Sequence, residues 1–280
     1  MQINDLLRQA TQQLSGSTDS ARLDAELLLA HCLNKPRSYL FTWPEVEPDE
    51  TQLRCFESLL AQRKSGQPIA YLLGYREFRD LKLKVTADTL IPRPETELLV
   101  ETALELLTET PCPQILELGT GSGAIAIALA KEIPSARIIS CDISSAALRV
   151  AQSNAGQYQL SNIRFLQSDW FSNIPTDKPF DLVISNPPYI EDNDPHLKQG
   201  DVRFEPVGAL ASGQDGLDDI RHLITHSVQF LKQGGTLMFE HGYDQGGKTI
   251  GLMQQAEYTS TRCIKDLAGH DRITLGYTQL

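Results

Sequence analysis

Four consecutive residues, Asn186-Pro187-Pro188-Tyr189, carry the most specific chemical signal in the chain. Two successive prolines remove two N–H donors and stiffen the loop, so the carbonyls of Asn186 and Pro187 can be held facing a cavity. Such a corner presents two oxygen acceptors, the side-chain oxygen of Asn186 and the backbone oxygen of Pro187. A planar NH₂ group suits it. Each hydrogen goes to one oxygen, the Tyr189 ring packs on the plane, and one face of the nitrogen stays open to a methyl group. Taken alone, Asn-Pro-Pro is also an ordinary way to end a strand.

A second constellation is Glu117-Leu118-Gly119-Thr120-Gly121-Ser122-Gly123, which opens directly into a helical pattern. Glycines there let the backbone turn sharply and approach a ligand, and the free N–H groups of a helix start hold a carboxylate or phosphate. Gly119, Gly121 and Ala124 also satisfy a dinucleotide fingerprint, with Asp142 as its ribose-binding acid. Charge separates the two ligands. A pyrophosphate is repelled by Glu117, whereas the ammonium and sulfonium of S-adenosylmethionine are attracted by it. In either case Asp142 accepts hydrogen bonds from ribose hydroxyls. Asp169-Trp170 follows a further strand, where a carboxylate can take an adenine amino group and an indole can flank the ring; a buried aromatic pair of Trp170 with Phe171 is the plainer alternative.

To meet at one cavity, these groups must sit at the ends of neighbouring strands. Short apolar runs at Ile115–Leu118, Arg137–Cys141, Ile163–Leu166, Leu182–Ser185 and Thr236–Glu240 alternate with helical patterns at Ala124–Ile133, Ser145–Gln157 and Leu217–Leu231. This alternation predicts an α/β fold, a doubly wound and mainly parallel sheet whose ligands lie beyond the carboxyl ends of the strands. Cys263–Leu267 and Ile273–Tyr277 can close it. Upstream, Ile3, Leu6, Leu7, Ala10 and Leu14 recur at helical spacing. Ser20 can cap a second helix with the stripe Ala21, Ala25, Leu28, Leu29 and Cys32, and a third helix starts after Pro48 and stops at Gly66. Leu81, Leu83 and Val85 alternate with Lys82 and Lys84, as a half-exposed strand does. Pro94, followed by Glu95 and Glu97, suits the first position of a helix. The expected organisation is a helical bundle at 1–75, a β-hairpin linker at 76–92 and the sheet domain at 93–280.

The chain has 280 residues, 25 basic and 36 acidic side chains, and a net charge of −11. Residues 1–80 hold 9 basic and 11 acidic groups, so the acidity sits in the larger part. No basic stripe able to track phosphates is visible, which argues against direct nucleic-acid binding. No apolar run approaches the length of a membrane span, and the N-terminus carries no signal-peptide pattern, so a cytoplasmic protein is expected. Five cysteines without a Cys-x-x-Cys pair fit neither a disulfide framework nor a zinc site; they are read as buried thiols, and no metal is expected.

Glu117 to Gly123, Asp142, Asp169-Trp170 and Asn186 to Tyr189 together resemble a class I S-adenosylmethionine-dependent methyltransferase acting on an exocyclic or amide nitrogen. Three further segments narrow the likeness: Gln67-Pro68-Ile69-Ala70-Tyr71-Leu72-Leu73-Gly74, Ile91-Pro92-Arg93-Pro94-Glu95-Thr96-Glu97 and Asp201-Val202-Arg203-Phe204-Glu205-Pro206. With them the chain resembles the release factor glutamine methyltransferases (PrmC/HemK type) over nearly its whole length. The resemblance implies a Rossmann-like sheet with a small N-terminal helical domain that helps hold the substrate. It implies S-adenosylmethionine as donor, and as substrate the glutamine of the Gly-Gly-Gln motif of class I peptide chain release factors. By motif match, Gly119, Thr120, Gly121, Ser122, Gly123, Asp142, Trp170 and Asn186 bind the donor, alongside Glu117 and Asp169 from the charge argument. Asn186, Pro187, Pro188 and Tyr189 bind the glutamine, and Asn186, Pro187 and Tyr189 carry the catalysis. The ending Gly276-Tyr277-Thr278-Gln279-Leu280 departs from the Arg-containing ending of the family.

The expected mechanism is positioning and electrostatics rather than proton abstraction, because Asn186 is no strong base; His196 and His241 are read as structural or solvated. Arg203 and Glu205 are expected to order the 190–216 segment as a lid. Three rivals stay open. A DNA adenine methyltransferase uses a similar loop but needs a basic surface. A nicotinamide oxidoreductase is disfavoured by Glu117, and a donor-binding module without turnover is the non-enzymatic reading.

Overall fold

Ile3, Leu6, Leu7, Ala10 and Leu14 all lie buried on one face of helix α1 (Ile3–Leu14) in the computed structural model, which describes residues 1–279. They pack with Leu28 and Leu29 of α2 (Ala21–Leu33), Leu40 of α3 (Ser38–Thr42) and Phe56 and Leu60 of α4 (Glu50–Lys64) into one apolar core; a short α5 (Ile69–Leu73) follows. The caps differ from expectation at one end. Ser20 does not cap α2 through its side chain, because its hydroxyl donates to Asp24 Oδ1 at 2.8 Å. Helix α4 instead has a reciprocal capping box, Asp49 accepting from the Gln52 backbone and Gln52 accepting from the Asp49 N–H.

The chain divides into two units, one of residues 1–75 with 198–204 and the other of 76–197 with 205–280. In the first, a buried cation organises the polar interior. Arg63 Nε donates to Asp24 Oδ2 at 2.6 Å, and its Nη1 donates to Asp201 Oδ1 at 2.8 Å and to the Gln67 carbonyl at 2.9 Å. The short segment 198–204 is thereby tied down by charge, and Arg203 Nη2 adds a bond to the Ser65 carbonyl at 3.0 Å. The cysteines correct the sequence reading. Only Cys141 is buried; Cys112 is exposed, and Cys32, Cys55 and Cys263 are half-buried.

The second unit opens with a hairpin, β1 (Tyr75–Phe78) and β2 (Leu81–Lys84). Phe78, Leu81 and Leu83 enter the unit's core while Lys82 and Lys84 face solvent, so the alternation in the sequence has its physical cause in one buried face. Helix α6 (Thr96–Leu107) begins two residues after Pro94, whose carbonyl accepts from Glu97 N–H in the entering turn; Pro94 therefore precedes the first helical position instead of occupying it. Then come β3 (Gln114–Leu118), α7 (Ala124–Glu132), β4 (Arg137–Asp142), α8 (Ser145–Gln157), β5 (Ile163–Gln167) and β6 (Phe180–Ser185). The unit ends with α9 (Asp218–Ser227), β7 (Leu231–Glu240), α10 (Gly246–Gln255), β8 (Thr259–Lys265) and β9 (Asp271–Tyr277).

These strands form one seven-stranded sheet in the order β5-β4-β3-β6-β7-β9-β8, with β9 antiparallel to both its neighbours and all other pairs parallel. The chain runs outward from β3 on one side and returns to pair β6 on the other, so a topological switch point lies between β3 and β6. Register brings Leu118 level with Cys141 and Ser185, and Ser185 level with Phe239, so four strands end at one edge. The helix expected over Leu217–Leu231 stops at Ser227, because Leu231 is already paired with Phe180 as the start of β7. Helix α10 escapes the pattern because its first turn is glycine-rich. Leu280, in the atypical tail, lies outside the described residues.

Candidate active site

At the switch point the turn after β3 uses its glycines for two purposes. Gly119 and Gly121 take φ of +75° and +55°, and a Cβ on either would point into open space; both line a cavity of about 510 Å³. Gly123, at φ +87°, serves packing instead, since a Cβ there would meet Ile127 Cδ1 at 2.8 Å and Ala151 Cβ at 3.2 Å. The loop is fixed from two sides. Asp142, ending β4, accepts from Gly121 N–H at 2.9 Å and from Ser144 N–H at 2.8 Å. Asn154 of α8 donates to the Ser122 carbonyl at 2.8 Å.

Beneath the loop sits Glu117, 1% exposed. Its Oε2 accepts from Ser140 Oγ at 2.6 Å and Thr120 Oγ1 at 2.8 Å, while Oε1 has no hydrogen-bond partner among the described residues. Burial, only partly offset by those hydroxyls, pushes its carboxyl up to about 7. The Asp142 carboxyl, half-buried at the cavity wall, is raised for the same reason.

Of the residues singled out by sequence, Gly119, Gly121, Asp142, Asp169, Trp170, Asn186 and Pro188 line the cavity. Glu117, Thr120, Ser122, Gly123, Pro187 and Tyr189 are not part of that lining; Thr120 turns inward to Glu117, and Tyr189 Oη to Glu240. The turn that carries Trp170 is itself strained, with φ +45°, and is held by Ser168 Oγ donating to the Trp170 carbonyl at 2.7 Å. The wall also includes residues that sequence spacing does not single out: 87–90 after the hairpin, Ile143, Ser144 and Ala147 around the start of α8, Gly208 and Ala209, and Asp219 in the first turn of α9. Of these, Asp219 carries a signal in sequence, an acid in the first turn of a helix.

The Asn186 corner is held by a hydrogen-bond network that sequence spacing did not reveal. Asn186 Nδ2 donates to Thr96 Oγ1 at 3.1 Å, Thr96 Oγ1 donates to Glu240 Oε2 at 2.7 Å, and Tyr189 Oη donates to Glu240 Oε1 at 3.1 Å. Thr96 is 4% and Glu240 1% exposed. The only sequence signal for Glu240 is an acid at the end of a core strand. Burial raises the Glu240 carboxyl, and the Tyr189 phenol is pushed up by burial beside it. Tyr189 N–H donates to the Leu210 carbonyl at 3.2 Å, and Gln245 Nε2 donates to the Tyr189 carbonyl at 3.0 Å, so the loop's backbone is fixed as well.

The segment expected to act as a lid is anchored by Glu205, whose Oε2 accepts from Ile91 N–H at 2.9 Å and whose Oε1 pairs with Arg93. Arg203 anchors the same segment at a second point, its Nη2 donating to the Ser65 carbonyl at 3.0 Å. Neither histidine faces the cavity. His241 is fully buried, its Nδ1–H donating to the Gly242 carbonyl at 2.8 Å while Nε2 faces Thr274 Oγ1 at 2.9 Å, and His196 is exposed beside Asp194.

Comparison with known proteins agrees with this architecture. The family described as PrmC N-terminal domain matches residues 5–74, and the family described as methyltransferase domain matches residues 112–263. The chain is 50% identical over 275 residues to the release factor glutamine methyltransferase of Vibrio cholerae, spanning 98% of this chain and 96% of that protein. It is 45% identical over 276 residues to that of Escherichia coli K12, spanning 99% of each. Among solved structures, a methyltransferase from Pyrococcus furiosus shares the fold at TM-score 0.52 and 16% identity, over 80% of this chain and 98% of its own. At 45–50% identity along nearly the full length, the chain belongs to the release factor glutamine methyltransferase family.

Proposed function

We propose that the protein transfers the methyl group of S-adenosylmethionine to the side-chain amide nitrogen of the glutamine in the Gly-Gly-Gln motif of class I peptide chain release factors, leaving N5-methylglutamine and S-adenosylhomocysteine. The observation that carries this reading is the opening of the Asn186-Pro188 corner into the same cavity as the glycine loop and Asp142. The family relationship supports the choice of substrate.

The cavity fits the donor in volume and in polarity. At about 510 Å³ it falls in the usual range for small-molecule sites. Glu117 lies behind the glycine loop, outside the lining, where its ionised carboxylate favours a cationic ligand through the loop. Gly119 and Gly121 keep the wall free of side chains where a bulky ligand must approach the backbone. When bound, S-adenosylmethionine supplies an electrophilic methyl group on a sulfonium. Asp142 is the group to receive the ribose hydroxyls, Asp169 and Trp170 to receive the adenine, and Glu117 to balance positive charge through the loop; Thr120, Ser122 and Gly123 shape that loop.

An amide nitrogen is a poor nucleophile because its lone pair is conjugated. Asn186 Oδ1 and the Pro187 carbonyl accept its two N–H bonds, hold it in place and strengthen as the nitrogen becomes positive. The stiffness of Pro187 and Pro188 means that little reorganisation is needed, and such alignment is worth up to about 7 to 11 kcal/mol in favourable cases. Tyr189 flanks the amide plane. The proton leaves during or after transfer, with neither His196 nor His241 involved.

The helical unit, residues 1–75, is the docking element for the release factor body in this reading, with the protein acting in the cytoplasm on a protein substrate. Among the described residues no helix is long and apolar enough to cross a membrane. The test is incubation with labelled donor and either a class I release factor or duplex DNA. Label in the release factor alone supports the proposal; label in DNA, or in neither, refutes it.

A further inference from the structure

We infer that Thr96 and Glu240 are positioning residues that decide which end of the Asn186 carboxamide faces the cavity. The inference rests on the reading of Asn186 as the acceptor for the substrate amide. A carboxamide is nearly symmetric in shape, yet only its oxygen can accept an N–H, so an inverted Asn186 would present two donors to a substrate that also brings donors. Proline stiffening fixes the backbone of the corner but leaves this rotation undecided.

The network decides it through a one-way count of hydrogens. Glu240, in its carboxylate form, only accepts. The single hydroxyl proton of Thr96 therefore goes to Glu240 Oε2, 2.7 Å away. What Thr96 offers on its other side is a lone pair, and the group that satisfies it is the NH₂ of Asn186, at 3.1 Å. With Nδ2 so engaged, Oδ1 is turned away from Thr96. The inverted amide would set Oδ1 against the Thr96 lone pairs in a buried setting, where an unmatched acceptor pair is strongly unfavourable.

Glu240 does the same for the other end of the corner. Its second oxygen accepts from Tyr189 Oη at 3.1 Å, so one carboxylate, 1% exposed, pins both Asn186 and Tyr189. Burial opposes its charge, and Thr96, Tyr189 and Arg272 support it, while Glu95 disfavours it. The three anchors come from the start of α6, the end of β7 and the loop after β6, which meet only in the folded unit.

Three variants test this on the full-length enzyme: Thr96→Val, which keeps shape but removes the hydroxyl, Thr96→Ser, which restores it, and Glu240→Gln, which lets the relay run backwards. Donor affinity is measured by calorimetry, and kcat and KM are measured with a class I release factor. Thr96→Val should lower kcat about tenfold with donor affinity within about twofold, the loss of one oriented hydrogen bond. Thr96→Ser should return kcat to within about threefold of the parent, and a folded Glu240→Gln enzyme should be at least as slow as Thr96→Val. A purely structural role would impair Thr96→Ser and Thr96→Val alike or weaken the donor in step. Parental kcat in Thr96→Val, or a Thr96→Ser variant as slow as Thr96→Val, overturns the inference while an active parent leaves the underlying reading intact. A parent that does not methylate the release factor overturns both.

Discussion

Replacing Glu117 by glutamine isolates the electrostatics of the donor site. The carboxyl lies beneath the glycine loop, is pushed up to about 7 by burial, and keeps one oxygen without a partner among the described residues. A cationic ligand above it favours the carboxylate, so binding below pH 7 must first remove a proton. One pH unit is about 1.4 kcal/mol, so donor affinity should rise about tenfold per unit from pH 5.5 toward 7 and level off above. The same shift acts on the fold with a defined sign. The folded-state value lies above the ordinary 4.5, so this group's contribution to stability is fully present below pH 4.5 and is lost as pH rises through about 7. Titration calorimetry with S-adenosylmethionine across pH 5.5–7, in two buffers of different ionisation enthalpy, reads both the slope and the proton released. In Glu117→Gln the slope should largely vanish, any remainder belonging to Asp142 and Asp219, which line the cavity and which burial also raises. A flat profile in the parent, or an unchanged slope in Glu117→Gln, would refute the assignment of Glu117 to the donor's charge.

Gly216 takes φ +70°, and a Cβ there would lie 2.3 Å from the Tyr189 carbonyl. Gly216→Ala should therefore push the Asn186–Tyr189 loop and lower kcat by about tenfold or more at saturating donor, and parental turnover would count against the loop's rigidity. Arg63→Ala strands Asp24, itself buried, without its partner in the helical unit. The expected loss is about 3 to 5 kcal/mol, read as a lower melting midpoint of that unit, and an unshifted midpoint would show the pair to be unimportant. Glu205→Ala frees the Ile91 N–H and Arg93, so hydrogen exchange at Ile91 should accelerate and methylation slow; unchanged exchange would exclude Glu205 as the anchor of the 190–216 segment.

The parts of the site that are local in sequence were legible from it. The glycine turn follows an apolar strand and opens a helix, Asp142 ends the next strand, and two prolines mark the corner at Asn186; each effect is decided within a few residues. The second tier was not legible, because its partners are distant. Thr96 and Asn186 are 90 positions apart and Thr96 and Glu240 are 144, and they meet only when β7 lies beside β6 under the start of α6. Depth was hidden as well. Glu117 was recognisable as an acid near a cation site, but its place behind the loop follows from Ser140 and Thr120 turning inward to meet it. At Gly123 the close approach of Ala151 adds a packing reason for glycine that the loop's local pattern does not show. Helix boundaries moved where a strand claimed the residues first, as Leu231 did by pairing with Phe180.

The central claim is that the Asn186 corner grips a glutamine carboxamide and presents it to the methyl donor. Mass analysis of the Gly-Gly-Gln peptide of a class I release factor, after a single turnover with the parent and with Asn186→Ala, tests it most directly. With the parent, one added methyl is expected on the glutamine side-chain nitrogen. With Asn186→Ala the expected rate is lower by about five- to a hundred-and-fiftyfold, from the loss of a hydrogen bond worth about 1 to 3 kcal/mol, although the donor still binds. A methyl group on any other atom, or an Asn186→Ala enzyme as fast as its parent, would contradict it.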